Sequence, residues 1–252
     1  QYPYYDMDAR QVDTEKMMET LRQVPVGDLV LLHGCCHNPT GADLTNEQWD
    51  SIADLALERG FIPFIDTAYQ GLGNGLDQDA YGMRMMAERL PEVIIASSCS
   101  KNFGLYRERT GSITFIAETS EQADIVVSQA MSTARSIYSM PPAHGALLVS
   151  MVLGDPQLRS QWETELEEVR LRIKSMRNLL CDSLENNAAG MDFSHIKRQN
   201  GMFSFLGITT PQLERLRTEF GIYIVSSTRI NLAGVNSNNI KHLTQSLLTV
   251  LE

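Results

Sequence analysis

No apolar run in this sequence approaches the roughly 20 residues that a membrane span requires. Its amino end, QYPYYDMDAR, has neither the basic nor the apolar stretch that opens a targeting signal, so the expected location is the cytoplasm. Basic residues are scarce. Lys and Arg total 21 against 31 Asp and Glu, a net charge of −10, which argues against a nucleic-acid partner. Cysteine is sparse too: the four present, two of them adjacent at Cys35 and Cys36, match neither a disulfide framework nor a zinc spacing and read as reduced thiols. Internal repeats and low-complexity segments are lacking. What remains, 252 residues of which 43% are hydrophobic and 21% charged, suits a globular protein with one large core or two smaller ones. The chain opens without methionine and is expected to be a piece of something longer.

Between residues 28 and 118 short apolar runs alternate with amphipathic stretches. DLVLLHG, FIPFIDTAY, EVIIASSCS and SITFIAE read as strands. LTNEQWDSIADLALERG reads as a helix, with Thr45 and Gln48 as a capping box and Gly60 as its stop, and another helix is expected over 79–89. Such alternation implies an α/β fold, a mostly parallel sheet flanked by helices, with ligands at the carboxyl ends of the strands. Residues 33–41, 66–69 and 97–101 occupy those ends. After SMPPAHGA the pattern changes: Trp162, Leu166, Val169, Ile173, Met176, Leu180 and Leu184 recur every three or four residues. That spacing predicts one helix over 155–186, long enough to connect two domains. Beyond it GMFSFLGI, a helix over TPQLERLRTEFG, strands in IYIVSS and RINLAG, and a last helix from Ser237 predict a smaller α+β unit. The expected division is 1–154 and 155–252.

Chemistry gathers at the strand ends. In SSCSKNFGLYRERTG, Lys101 ends an apolar run rather than lying on a wet helix face, and burial would favour a free amine able to attack an aldehyde. Ser98, Ser100 and Arg109 offer hydroxyls and a guanidinium suited to a phosphate. Alternatively, Arg107 and Arg109 form a solvated turn. Asp66 follows FIPFI and, if buried, needs either a structural arginine or a cationic ring nitrogen. Tyr69 stands three residues on, and Asn38 sits in the turn HNPTG. An aldehyde, a phosphate, a ring cation and a phenolate oxygen are together the features of pyridoxal 5'-phosphate. GLGNGLD looks like a nucleotide loop but has no helix in the required place, and it reads as a plain loop. His37, His144, His195 and His242 show no metal-ligand spacing.

LLHGCCHNPTGADLT, FIDTAYQGLG, SSCSKNFGLYRERTG, YSMPPAHGA, NGMFSFLGI and RINLAGVN resemble, in order and spacing, the aspartate and aromatic aminotransferases among the fold-type-I pyridoxal-phosphate enzymes. The resemblance runs the length of the chain. It implies that residues 1–154 form the carboxyl-terminal part of the large cofactor domain and that 155–252 form a linker helix and small domain. Lys101 would carry the cofactor, Asp66 would hold its ring nitrogen, and Asn38 and Tyr69 its ring oxygen. Ser98, Ser100 and Arg109 would take the phosphate, Ala68 would lie against the ring, and His33 would support Asp66. Arg229 matches the arginine that grips the substrate carboxylate, Phe203 would line the cleft, and Arg135 would reach a distal carboxylate in a partner subunit of a homodimer. The family's long amino-terminal stretch, with its phosphate loop, ring-stacking tryptophan and donated tyrosine, has no counterpart here; Trp49 and Trp162 fall on expected helices. Met140 replaces a polar residue in YSxPP.

The implied reaction is transamination between an amino acid, aspartate, glutamate or aromatic, and a 2-oxo acid. Elimination or decarboxylation with the same cofactor, a cofactor-free Schiff-base lyase, and a fragment without activity in isolation are the other readings. None of them involves nucleic acid or a membrane.

Overall fold

The computed structural model describes residues 1–185 and 192–252. An antiparallel pair, β1 (Tyr5–Asp6) and β2 (Gln11–Val12), leads into α1 (Thr14–Leu21). Then come β3 (Leu29–His33), α2 (Asn46–Arg59), β4 (Ile62–Thr67), α3 (Tyr81–Arg89), β5 (Val93–Ser98) and β6 (Gly111–Ile116). Three helices follow: α4 (Ser120–Tyr138), α5 (His144–Gly154) and α6 (Pro156–Glu185). The chain ends with α7 (Ser194–Arg198), β7 (Phe203–Phe205), α8 (Thr210–Phe220), β8 (Arg229–Asn231) and α9 (Ile240–Leu251).

Local chemistry sets the boundaries. Thr45 Oγ1 accepts from Gln48 N, the Gln48 side chain accepts from Thr45 N at 2.8 Å, and Gly60 ends α2 in the left-handed region at φ 73°. The expected last residue of the long helix, Asn186, lies outside the described residues. The final helix starts at Ile240 rather than Ser237, because Asn236 and Asn239 spend their side chains on the backbone of 236–239 and hold it as a turn.

The main sheet runs β3-β4-β5-β6. The first three strands are parallel, with His33 opposite Asp66 and Thr67 opposite Ser97, which aligns their carboxyl ends. β6 is antiparallel to β5, because the segment between them forms a loop and carries no crossover helix. Met17, Leu32, Trp49, Ile52, Ile65, Met86 and Val93 join α1, α2 and α3 to one face of this sheet in a continuous core. Alternate residues of β3 face outward, with Leu29 57% and Leu31 48% exposed. A second core forms around α6, from Leu166, Ile173, Leu180, Phe193, Leu216 and Leu247, and it reaches back to Cys35, Cys36 and Tyr69.

Of the two strands expected in the last part of the chain, RINLAG is extended only over β8, and IYIVSS is irregular, with Tyr223 80% and Val225 51% exposed. Its β-branched residues favour a strand only when a neighbouring strand offers backbone partners, and here β8 pairs with β7 instead. GLGNGLD is the expected loop, wrapped on Asp79, whose carboxylate accepts from Gly71 N and Gly73 N at 2.9 Å and from Asn74 N at 2.7 Å. Among the described residues no helix is long and apolar enough to cross a membrane.

Candidate active site

The carboxyl end of each parallel strand delivers one part of the site. After β3 the chain turns through His37–Gly41 and presents Asn38. After β4 it presents Ala68 and Tyr69, and after β5 Ser98, Ser100 and Lys101. The Lys101 ammonium lies 4.8 Å from the centre of the Tyr69 ring. The Tyr69 hydroxyl accepts from Asn38 Nδ2 at 3.4 Å, and Asn38 Oδ1 accepts from Arg229 at 2.8 Å. Arg229 also stacks over Phe203, 4.5 Å from the ring centre, and Phe203 meets Tyr69 edge-on at 6.1 Å. Five residues from five segments thus form one unbroken set of contacts.

Burial raises the Tyr69 phenol above its ordinary range, and the bond from Asn38 opposes that rise. Asp66 ends the buried run of β4 beside His33, its register partner. Burial lowers the His33 pKa, and Asp66 and Asp43 pull the other way. His33 packs on His37 at 4.5 Å, and His37 stacks on Tyr4 at 3.9 Å. Burial takes His37 down to about 3, so this histidine stays neutral beside His33.

The phosphate-type groups lie in one loop. Ser98 Oγ accepts from Ser100 N at 3.1 Å, and Cys99 N donates to Thr110 O at 3.0 Å, which folds the start of that loop against its end. Arg109 holds φ 52°, is exposed, and donates to Tyr106 O at 2.8 Å. Arg135 is apart from the rest: it lies exposed on α4, a helix with no buried residue.

Several participants were not singled out from the sequence. Trp162 stacks on Phe103 at 4.4 Å and donates to Asn102 O at 2.9 Å, which braces the Lys101 loop from α6. Among the described residues Thr67 Oγ1 and Asn102 Oδ1 are buried without a hydrogen-bond partner, and both residues line a cavity of about 650 Å³ that also touches Ser98. Arg177, 2% exposed, donates to the carbonyls of Ile196, Asn200 and Gly201 at 2.8 Å and to that of Phe203. One signal was legible for it: Arg177 falls four residues after Ile173 and three before Leu180, on the apolar stripe of α6.

A lysine, an acid beside a neutral histidine, a phenol and amide in contact, and a hydroxyl-rich loop thus gather at the open end of a parallel sheet, where ligands of such sheets sit. The Aminotransferase class I and II family profile matches residues 1–247, and the chain belongs to that family. It is 51% identical to the aspartate aminotransferase of Haemophilus influenzae over 251 residues, and 45% identical to the aromatic-amino-acid aminotransferase of Pseudomonas aeruginosa over 249. These alignments take in 100% and 99% of this chain and 63% and 62% of the relatives. The chain therefore spans just under two thirds of their length. The aromatic-amino-acid aminotransferase of Burkholderia pseudomallei, solved covalently bound to pyridoxal phosphate, superimposes with a TM-score of 0.97 at 42% identity, over 100% of this chain and 63% of that one.

Proposed function

We propose that this chain carries most of the active site of a pyridoxal-phosphate-dependent aminotransferase acting on aspartate, glutamate or aromatic amino acids and a 2-oxo acid. The observation that carries this reading is the contact series Lys101–Tyr69–Asn38–Arg229. The donor set fits the cofactor: an amine for its aldehyde, Asp66 for a ring nitrogen, Tyr69 and Asn38 for a ring oxygen, and Ser98, Ser100 and Arg109 for a phosphate. The names of the relatives support the substrate class.

Pyridoxal phosphate, when bound, supplies an aldehyde and a ring that accepts the charge developing at the substrate Cα. Lys101 would hold the aldehyde and then, as a free amine, move the Cα proton, a role worth about 10²–10⁴-fold for a positioned base. Arg229 would grip the α-carboxylate through a two-pronged pair, its guanidinium already oriented by Asn38 Oδ1 and the Phe203 ring. Asp66 would keep a ring nitrogen protonated, and His33, held neutral by burial, would orient it without adding a competing charge. Ala68 would lie against the ring, and Phe203 would close the substrate side.

Arg135 would serve the site of a second copy in a homodimer. Its exposure supports this, as does the apolar surface along α4 and its end, where Met131, Ile137 and Met140 are 69, 72 and 78% exposed. The domain division at residues 154 and 155 places α6 with the small unit. A cytoplasmic location, where thiols stay reduced, suits the four free cysteines.

The test is a visible absorbance scan of the chain with added pyridoxal phosphate, repeated with Lys101→Ala. A band that requires Lys101 and bleaches on adding aspartate supports transamination. A spectrum indifferent to the substitution removes the reading.

A further inference from the structure

Two carboxylates near the candidate site, Asp79 buried and Asp43 half-buried, have no close ion pair among the described residues. Asp79 is 7% exposed and receives only backbone N–H groups, while Asp43 receives His37 N at 2.8 Å and Asn200 Nδ2 at 3.2 Å. Among the described residues neither has a cationic side chain within salt-bridge distance. Arg170 acts on Asp79 and Arg177 on Asp43 from beyond ion-pair distance, so each carboxylate is answered by charge at longer range and has no direct cationic partner.

Two thiols stand beside them. On an extended chain neighbouring side chains point to opposite sides, but Cys36 adopts φ 51°, and the sulfurs of Cys35 and Cys36 and an oxygen of Asp79 all lie within 4.8 Å of one another. The two cysteines are 5% and 2% exposed. A cavity of about 290 Å³ opens on Cys35, Asp43, Asn74, Gln78, Asp79 and Trp49, with room for an ion and water.

We propose that Cys35, Cys36 and Asp79 form a binding site for one thiophilic divalent cation of the Zn²⁺ or Cd²⁺ kind, with Asp43 or a water in the cavity as fourth ligand. Thiolates select such ions over Mg²⁺ and Ca²⁺, and a tetrahedral ion at about 2.3 Å from sulfur and about 2.1 Å from oxygen asks the three donors to close by roughly 1 Å or less. Asp79 has capacity to spare: its three backbone bonds use three of about four acceptor positions, leaving one on Oδ1. Binding exchanges two S–H bonds for two sulfur–metal bonds and releases two protons to solvent, with no change of oxidation state. The site is separate from Lys101 but touches its surroundings, because Cys36 Sγ lies 3.8 Å from the Tyr69 carbonyl oxygen. It stands whether or not the chain is a transaminase.

The probe is Cd²⁺, titrated into the reduced chain while the ultraviolet thiolate-to-cadmium charge-transfer band and tryptophan emission are recorded. The expected result is saturation at one ion per chain with a change in Trp49 emission. The double variant C99S/C181S keeps both signals, and C35A or C36A weakens binding about tenfold or more. Loss of the band in C181S would move the ion to the other acidic thiol group, Cys181 with Asp182 and Glu185, and overturn the proposal, as would no saturable binding. X-ray absorption of the cadmium-loaded unaltered chain guards against a variant that fails to fold. Two sulfur neighbours per ion are expected, and fewer than two overturn the assignment.

Discussion

Arg229 and Asn38 meet at 2.8 Å although 191 positions separate them in the chain. The bond joins the start of β8 to the turn after β3 and orients the guanidinium that would receive a substrate carboxylate. If Asn38 is that orienting group, Asn38→Ala lowers kcat/KM by roughly 10- to 100-fold, in line with a lost hydrogen bond to a charged partner of about 1.5–3 kcal/mol. Arg229→Lys, which keeps charge but not the fork, loses at least as much. Steady-state transamination by the two variants and their double mutant measures the coupling, and full additivity would mean the bond has no part in binding.

Gly41 holds this arrangement in place. It has φ 77°, and a Cβ there would sit 2.4 Å from the Phe203 carbonyl oxygen, which is backbone and cannot swing aside. Gly41→Ala is expected to destabilise the fold by roughly 2–5 kcal/mol, from left-handed strain and overpacking together. A urea midpoint within error of the unaltered chain would refute the close approach.

Arg177 is the second fastener. Replacing it with Met leaves the carbonyls of Ile196, Asn200, Gly201 and Phe203 without their donor. At about 1–3 kcal/mol for a buried polar group left unpaired, and allowing for carbonyls that find water, the loss is roughly 3–5 kcal/mol. Chemical denaturation of Arg177→Met reads it directly.

Acid sensitivity has an identifiable source in His195, 1% exposed, whose pKa burial and the neighbouring Arg10 take down to about 4 although the Phe205 carbonyl pulls it up. Its Nε2 donates to Phe205 O at 2.8 Å and its Nδ1 faces Arg10 at 3.2 Å, so a second ring proton has no acceptor. The folded pKa lies below the unfolded value of about 6.5, so the unfolded chain binds the extra proton first. The stability this histidine contributes is therefore present above pH 6.5 and lost as pH falls from 6.5 towards 4, by at most about 1.4 kcal/mol per pH unit. His37, near 3, acts in the same direction, while Asp43 and Asp79 oppose it. Urea midpoints between pH 7.5 and 4.5 should fall with a shallower slope in His195→Gln; equal slopes would exclude His195.

The fold is legible in the sequence where chemistry is local. Thr45, Gln48 and Gly60 bound α2 in the structure as their residue types require. It is not legible where a partner decides the outcome: IYIVSS has strand-forming residues but no strand beside it among the described residues, and Arg177 looks like one more charge on a helix until four carbonyls converge on it.

The order of apolar runs, caps and glycines by itself determined the parallel strands, the helices between them and the placement of Asn38, Asp66, Tyr69 and Lys101 at strand ends, because period and capping act over a few residues. Only the tertiary structure decided that Arg229 reaches Asn38, that Trp162 braces the Lys101 loop, that Arg135 stays outside, and that two adjacent thiols lie within 4.8 Å of the Asp79 carboxylate. Those relations depend on how α6 and the elements after it pack against the sheet. Such packing follows from burial summed over many distant residues, which no short stretch of sequence carries.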